Sequence, residues 1–77
     1  MSKPTRITNA IRTLRFAHGE MTQAQLAERI GVTRQTIIAI EQGRYSPSLE
    51  MAFQIARVFH VPLDEVFQYP DGEGEQS

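Results

Sequence analysis

One short joint constrains this chain more than any other feature. Between Ile30 and Arg34 only Gly31-Val32-Thr33 separates two segments that both read as helices. The earlier segment, residues 23–30, carries Leu26, Ala27 and Ile30 on one face at helical spacing. Thr22 is placed to cap it, and Gln25 three residues on completes a capping box. The later segment runs from behind a second cap, Thr33, to about Gln42, with Ile37 and Ile40 facing inward. Two helices joined by three residues cannot fold back antiparallel and must cross steeply. A steep crossing needs a small residue where the backbones meet, which is Ala27. It also needs a corner that accepts positive φ, which is Gly31. Leu26, Ile30, Val32, Ile37 and Ile40 then point into one core.

Three further segments complete the pattern. The first runs over about residues 8–18, with Ile7, Ile11, Leu14 and Ala17 on one face and Gly19 as its stop. The fourth starts behind Pro47-Ser48, after Gly43 has ended the third, and carries Leu49, Ala52, Phe53, Ala56 and Phe59 on a stripe. The fifth is short and holds Leu63, Val66 and Phe67 after Pro62. No segment alternates with period two, so no strand is expected. The expected fold class is all-α with five helices. A chain of 77 residues allows one domain, placed at residues 6–69 between a flexible N-terminus at 1–5 and an acidic tail at 70–77 that has no apolar residue. So small a core leaves little spare stability, and association would add to it.

Composition excludes several classes. There is no Cys, hence no disulfide framework and no thiolate zinc site. The longest apolar run, Ile37-Ile38-Ala39-Ile40, is far too short to cross a membrane, and residues 1–10 lack the apolar stretch of a signal peptide. The net charge of −1 argues mildly against a polyanionic partner, but its distribution does not. Residues 1–69 hold all eight Lys and Arg against six acids, while Asp71, Glu73 and Glu75 sit in the tail. Local charge is what steers a polyanion.

In order along the chain, Leu14-Arg15, Thr22-Gln23, Leu26-Ala27, Gly31-Val32-Thr33, Ile37, Ile40-Glu41, Gly43-Arg44, Pro47-Ser48-Leu49, Ile55-Ala56 and Val66-Phe67 resemble the phage repressor and Cro-like family of helix-turn-helix regulators, also called the XRE family. The resemblance spans residues 6–69. It implies a lambda-repressor-like domain with the helix-turn-helix at the second and third helices. The implied function is sequence-specific, repressor-like regulation of transcription in a prokaryote or phage, in the cytoplasm on the nucleoid. The implied partner is double-stranded DNA with a palindromic operator, bound by a homodimer; no cofactor, metal or small-molecule ligand is implied. The third helix enters the major groove in this family, which gives Thr33, Arg34, Gln35, Ile38 and Ala39 as base contacts. Arg suits guanine O6 and N7, Gln suits adenine N6 and N7, and an apolar side chain suits a thymine methyl. Thr22, Gln23, Thr36 and Arg44 are the implied phosphate contacts, the first two at a helix N-terminus that favours an anion. Arg15 and Glu41 resemble the structural ion pair that ties the first helix to the third. Relative to many relatives, the stretch from His18 to Thr22 is one residue longer, which enlarges that corner.

Blander readings stand beside these. Arg34, Gln35 and Arg44 also suit a solvated face, Thr22 and Thr33 are explained by capping alone, and Ile38 fits either core or groove. His18 and His60 lie far apart at helix ends without ligand-spaced neighbours, and His60 fits a left-handed helix end. The alternative function is a protein-interaction or antitoxin module that keeps the fold, which an acidic rather than a basic recognition face would favour. No nucleophile–base pair or phosphate-cradling loop points to an enzyme. The fifth helix is too short to bury all of Leu63, Val66 and Phe67 on its own domain. With Tyr69 these residues are the expected dimer surface.

Overall fold

A computed structural model describes residues 5–70; residues 1–4 of the expected flexible N-terminus and 71–77 of the expected acidic tail lie outside it. Five helices are present: α1 (Ile11–Ala17), α2 (Gln23–Ile30), α3 (Arg34–Glu41), α4 (Leu49–Phe59) and α5 (Leu63–Val66). Two short strands flank them, β1 (Thr8–Asn9) and β2 (Phe67–Gln68). They pair antiparallel with Thr8 opposite Gln68 and Asn9 opposite Phe67. The expectation of no strand is therefore corrected. Two residues are too few to display a period: the Phe67 N–H still closes onto the Leu63 carbonyl of α5, and the strand exists only by pairing with the chain's start.

The same clasp shortens the first helix. It begins at Ile11, not at about residue 8, because residues 8 and 9 are spent on the sheet. Asn9 Oδ1 accepts the Ile11 N–H at 3.2 Å, and Asn9 Nδ2 donates to the Ile40 carbonyl at 3.0 Å. The Ala10 N–H reaches the Val66 carbonyl at 2.9 Å. The start of α1 is thus bonded to the end of α3 and the end of α5.

The core forms where the helix faces converge. Ile11, Leu26, Ile37, Ile40, Ile55, Phe59 and Val66 are fully enclosed, with Met21, Ala27, Ile30 and Ala56 beside them. The reading of α4 needs correcting by a rotation. At about 100° per residue, Ala52, Ile55, Ala56 and Phe59 share an arc of about 100° and are buried. Leu49 and Phe53 fall on its flank and are 68% and 49% exposed. Ala17, assigned to the inner face of the first helix, is exposed as well.

The joint behaves as the sequence requires. Gly31 sits in the left-handed region at φ 77° and ψ 32°, and the Val32 N–H closes onto the Ala27 carbonyl at 3.0 Å. Ala27 is 3% exposed at the crossing. The Thr22–Gln25 capping box is complete, with both bonds at 2.8–3.0 Å. Thr33 and Ser48 accept the N–H of Thr36 and Met51 at the starts of α3 and α4. His60 ends α4 in a left-handed conformation at φ 58°.

Candidate nucleic-acid interface

The start of α3 stands in solvent. Arg34 and Gln35 are exposed, and one turn on Ile38 and Ala39 are half-buried. Ile38 is therefore neither a core residue nor a free one, and its outer edge remains open to contact. Thr33 is exposed and Thr36 half-buried. Their hydroxyls bond each other at 3.0 Å, and Thr33 Oγ1 also holds the Thr36 N–H. Capping thus accounts for both hydroxyls without removing their remaining lone pairs. Arg44 is exposed just past the end of α3, with its N–H on the Ala39 carbonyl.

Beside α3 the start of α2 offers donors. The capping box uses the N–H groups of Thr22 and Gln25, which leaves those of Gln23 and Ala24 without an acceptor among the described residues. An N-terminus of this kind attracts an anion by its free N–H groups and its dipole. The Gln23 side chain is less free than its placement suggested. It is half-buried, and its Nε2 donates to Glu41 Oε1 at 3.1 Å.

That bond belongs to a network that fixes the two elements relative to α1. Arg15 Nε donates to Glu41 Oε2 at 2.7 Å and Arg15 Nη2 to Oε1 at 3.2 Å, with the side chains only 8% and 10% exposed. Arg15 Nη1 donates to the Met21 carbonyl at 2.8 Å, while the Met21 N–H returns to the Arg15 carbonyl at 2.9 Å. The corner between α1 and α2 turns through two successive left-handed residues, Gly19 at φ 74° and Glu20 at φ 57°. Arg15 reaches both Glu41 and the Met21 carbonyl across it.

Between these elements lies an open cleft of about 720 Å³. Thr22, Gln23 and Ala24 from α2 line one side, Arg34 from α3 another, and Arg12 and Phe16 from α1 a third. Glu20 also reaches it. The Glu41 carboxylate is neutralised by Arg15, so the cleft's free charges are Arg12 and Arg34 against Glu20. Sequence reasoning missed Arg12 and Phe16. Their helical spacing was visible, but only the steep packing of α2 and α3 turns them toward a cleft.

Two capped helices crossing at a glycine corner, with the second helix exposed at its start, make up the helix-turn-helix motif. The family model described as Helix-turn-helix matches residues 11–66. The chain belongs to the helix-turn-helix family. Its XRE-type character is carried by relatives of this domain across most of their length. An uncharacterised HTH-type transcriptional regulator of Methanocaldococcus jannaschii is 49% identical over 65 residues, covering 84% of this chain and 97% of the relative. The cryptic phage CTXphi transcriptional repressor RstR of Vibrio cholerae is 36% identical over 59 residues, covering 77% of this chain and 52% of the repressor. Among solved structures, the restriction-modification controller protein C.AhdI of Aeromonas hydrophila superposes with a TM-score of 0.65 at 29% identity, covering 71% of this chain and 78% of that one. The helix-turn-helix domain is thus lambda-repressor-like, and a small clasp joins its ends.

The proposed dimer surface needs one correction. Val66 is fully buried in its own core and offers nothing to a partner. Even a one-turn helix hides one residue completely when it lies across α4. Leu63 and Phe67 are half-buried, and Tyr69 is 61% exposed.

Proposed function

We propose that this helix-turn-helix protein is a repressor-like transcriptional regulator that binds DNA sequence-specifically, with α3 in the major groove and the start of α2 on the backbone. One observation carries the reading. Arg34 and Gln35 are held in solvent at the start of α3, beside a cleft lined by Gln23 and Ala24, whose backbone N–H groups have no acceptor among the described residues. Base readers next to a backbone anchor are what groove recognition needs. Arg34, Gln35, Ile38 and Ala39, with Thr33, read the bases. The Thr22 hydroxyl, the Gln23 backbone N–H, Thr36 and Arg44 hold phosphates. The phage transcriptional repressor among the relatives supports the repressor sign.

Selection of bound fragments from random duplex DNA tests the reading and yields the site. On that site Gln35→Ala is expected to weaken binding by about 5- to 150-fold, the equivalent of about 1–3 kcal/mol for a lost bidentate contact. Binding to random duplex should hardly change. Equal losses on both would remove Gln35 from the base readers.

The active form is a homodimer on a palindromic site, because one recognition helix reads too few base pairs to select a site in a genome. A twofold pair reads half-sites about 34–36 Å apart. An apolar groove of about 600 Å³ supports the choice of surface: it is lined by Ile7, Pro47, Leu49, Leu63 and Phe67, with the exposed Phe53 and Tyr69 as further apolar area. Sedimentation at micromolar concentration should show a dimer that Leu49→Asp dissociates with the fold intact. A monomer with and without DNA, together with a non-palindromic selected site, would refute it.

A further inference from the structure

Phe16 is out of place for a core residue. It is 54% exposed on α1, and the guanidinium carbons of both Arg12 and Arg15 lie 5.6 Å from its ring centre. Arg15 is consumed by Glu41 and the Met21 carbonyl. Arg12 has no ion-pair partner among the described residues. Four positions apart on one helix, Arg12 and Phe16 share a face, and both line the cleft that holds the start of α2 and Arg34.

A guanidinium laid over an aromatic ring spends its face on the contact and keeps its N–H donors free at the rim. Stacking also restricts a side chain that would otherwise lose much rotamer freedom on binding. An exposed aromatic that holds an unpaired arginine in a cleft beside free backbone N–H groups is therefore a ready anion clamp. We propose that Arg12, positioned by Phe16, grips a DNA backbone phosphate on the α1 side of this cleft, next to the strand anchored by Gln23 and Ala24. The proposal rests on the DNA-binding reading above and adds a contact from a helix outside the helix-turn-helix itself. Glu20 stands at the same cleft and limits how deeply the backbone can settle, which leaves the long reach of Arg12 to make the contact.

The test is the salt dependence of binding to the selected duplex and to random duplex. Arg12→Ala should lower affinity about tenfold on both DNAs, as expected for one lost charge-assisted hydrogen bond. It should also flatten the slope of log affinity against log salt by about 0.9, the value of one phosphate contact. Arg57→Ala, on α4 and outside the cleft, removes the same charge and should leave the slope unchanged. Phe16→Leu keeps the charge but removes the ring, and should weaken binding about 2- to 5-fold at an unchanged slope. An Arg12→Ala slope equal to the wild type overturns the clamp while the DNA-binding reading survives. A slope change in Arg57→Ala as large as that in Arg12→Ala also overturns it, since any surface charge would then serve. Wild-type affinity in Phe16→Leu overturns the role of the ring. Failure of the wild type to bind any duplex overturns the clamp and the reading together.

Discussion

Arg15→Ala is expected to cost about 3–5 kcal/mol of stability, because it strands a buried carboxylate rather than merely deleting a contact. Glu41 accepts three hydrogen bonds, two from Arg15 and one from Gln23, and is almost closed off from water. Loss of Arg15 leaves the Glu41 charge with only the Gln23 amide and frees the Met21 carbonyl. Glu41→Ala should cost about as much, since it strands the guanidinium. In a domain of this size each kcal/mol moves the melting midpoint by about 4–8 °C, so either variant should melt on the order of 10–40 °C lower. A double-mutant cycle by urea unfolding measures the coupling. Arg15→Met with Glu41→Leu should recover much of the loss, because an apolar pair of similar volume needs no compensating charge. A cost below about 1 kcal/mol for either single variant would mean that the pair behaves as an exposed one and does not tie α1 to α3.

Phe59→Ala should be comparably severe, at about 3–5 kcal/mol. Phe59 is 1% exposed at the end of α4, and its ring meets the His18 ring edge-on at 5.2 Å between centroids. The side chain therefore props the C-terminal end of α1 as well as filling the core. The defect lies in folding, so ligand should reverse much of it. DNA at a hundred times its dissociation constant adds about 2.7 kcal/mol to whatever binds it only when folded. Thermal melts with and without the selected duplex should show Phe59→Ala regaining most of its lost stability and keeping wild-type sequence preference. Gln35→Ala should show the opposite pattern, a normal melt and a poor response to the selected site. A Phe59→Ala loss under about 1 kcal/mol would place the ring outside the weight-bearing core.

The contrast between these residues explains what was legible in the sequence. Caps and corners were, because they depend on residues three or four apart. Thr22 with Gln25, Thr33 with Thr36, and Gly31 at its positive φ act within one turn of chain. The joint between α2 and α3 followed from them. The β clasp was not legible, since neither Thr8–Asn9 nor Phe67–Gln68 is long enough to alternate, and each is a strand only because the other is near. The face of α4 was misjudged by a rotation because Leu49 and Phe53 satisfy a 3.6-residue period as well as Ile55 does. Only the positions of the other helices decide between them. At the site, the resemblance pointed to Arg34, Gln35, Gln23 and the Arg15–Glu41 pair by position. Arg12 and Phe16 escaped because their cleft is made by packing between distant segments, and nothing in their immediate neighbours marks it.

The clasp also orders events in time. It joins positions 60 apart in the chain, as the Thr8 hydroxyl on the Gln68 carbonyl illustrates, and the Ala10 N–H waits for the Val66 carbonyl. The α2–α3 unit needs only its own residues to begin forming, and Asn9 can already reach Ile40, whereas β1 has no strand to pair with until the far end of the domain has been made. At a ribosomal speed of about 5–20 residues per second, that delay is roughly 3–12 s. The recognition helix and both partners of its ion pair, Arg15 and Glu41, can thus exist on the nascent chain before the clasp closes. Until Phe67 and Gln68 have been made, the two ends of the domain stay unjoined.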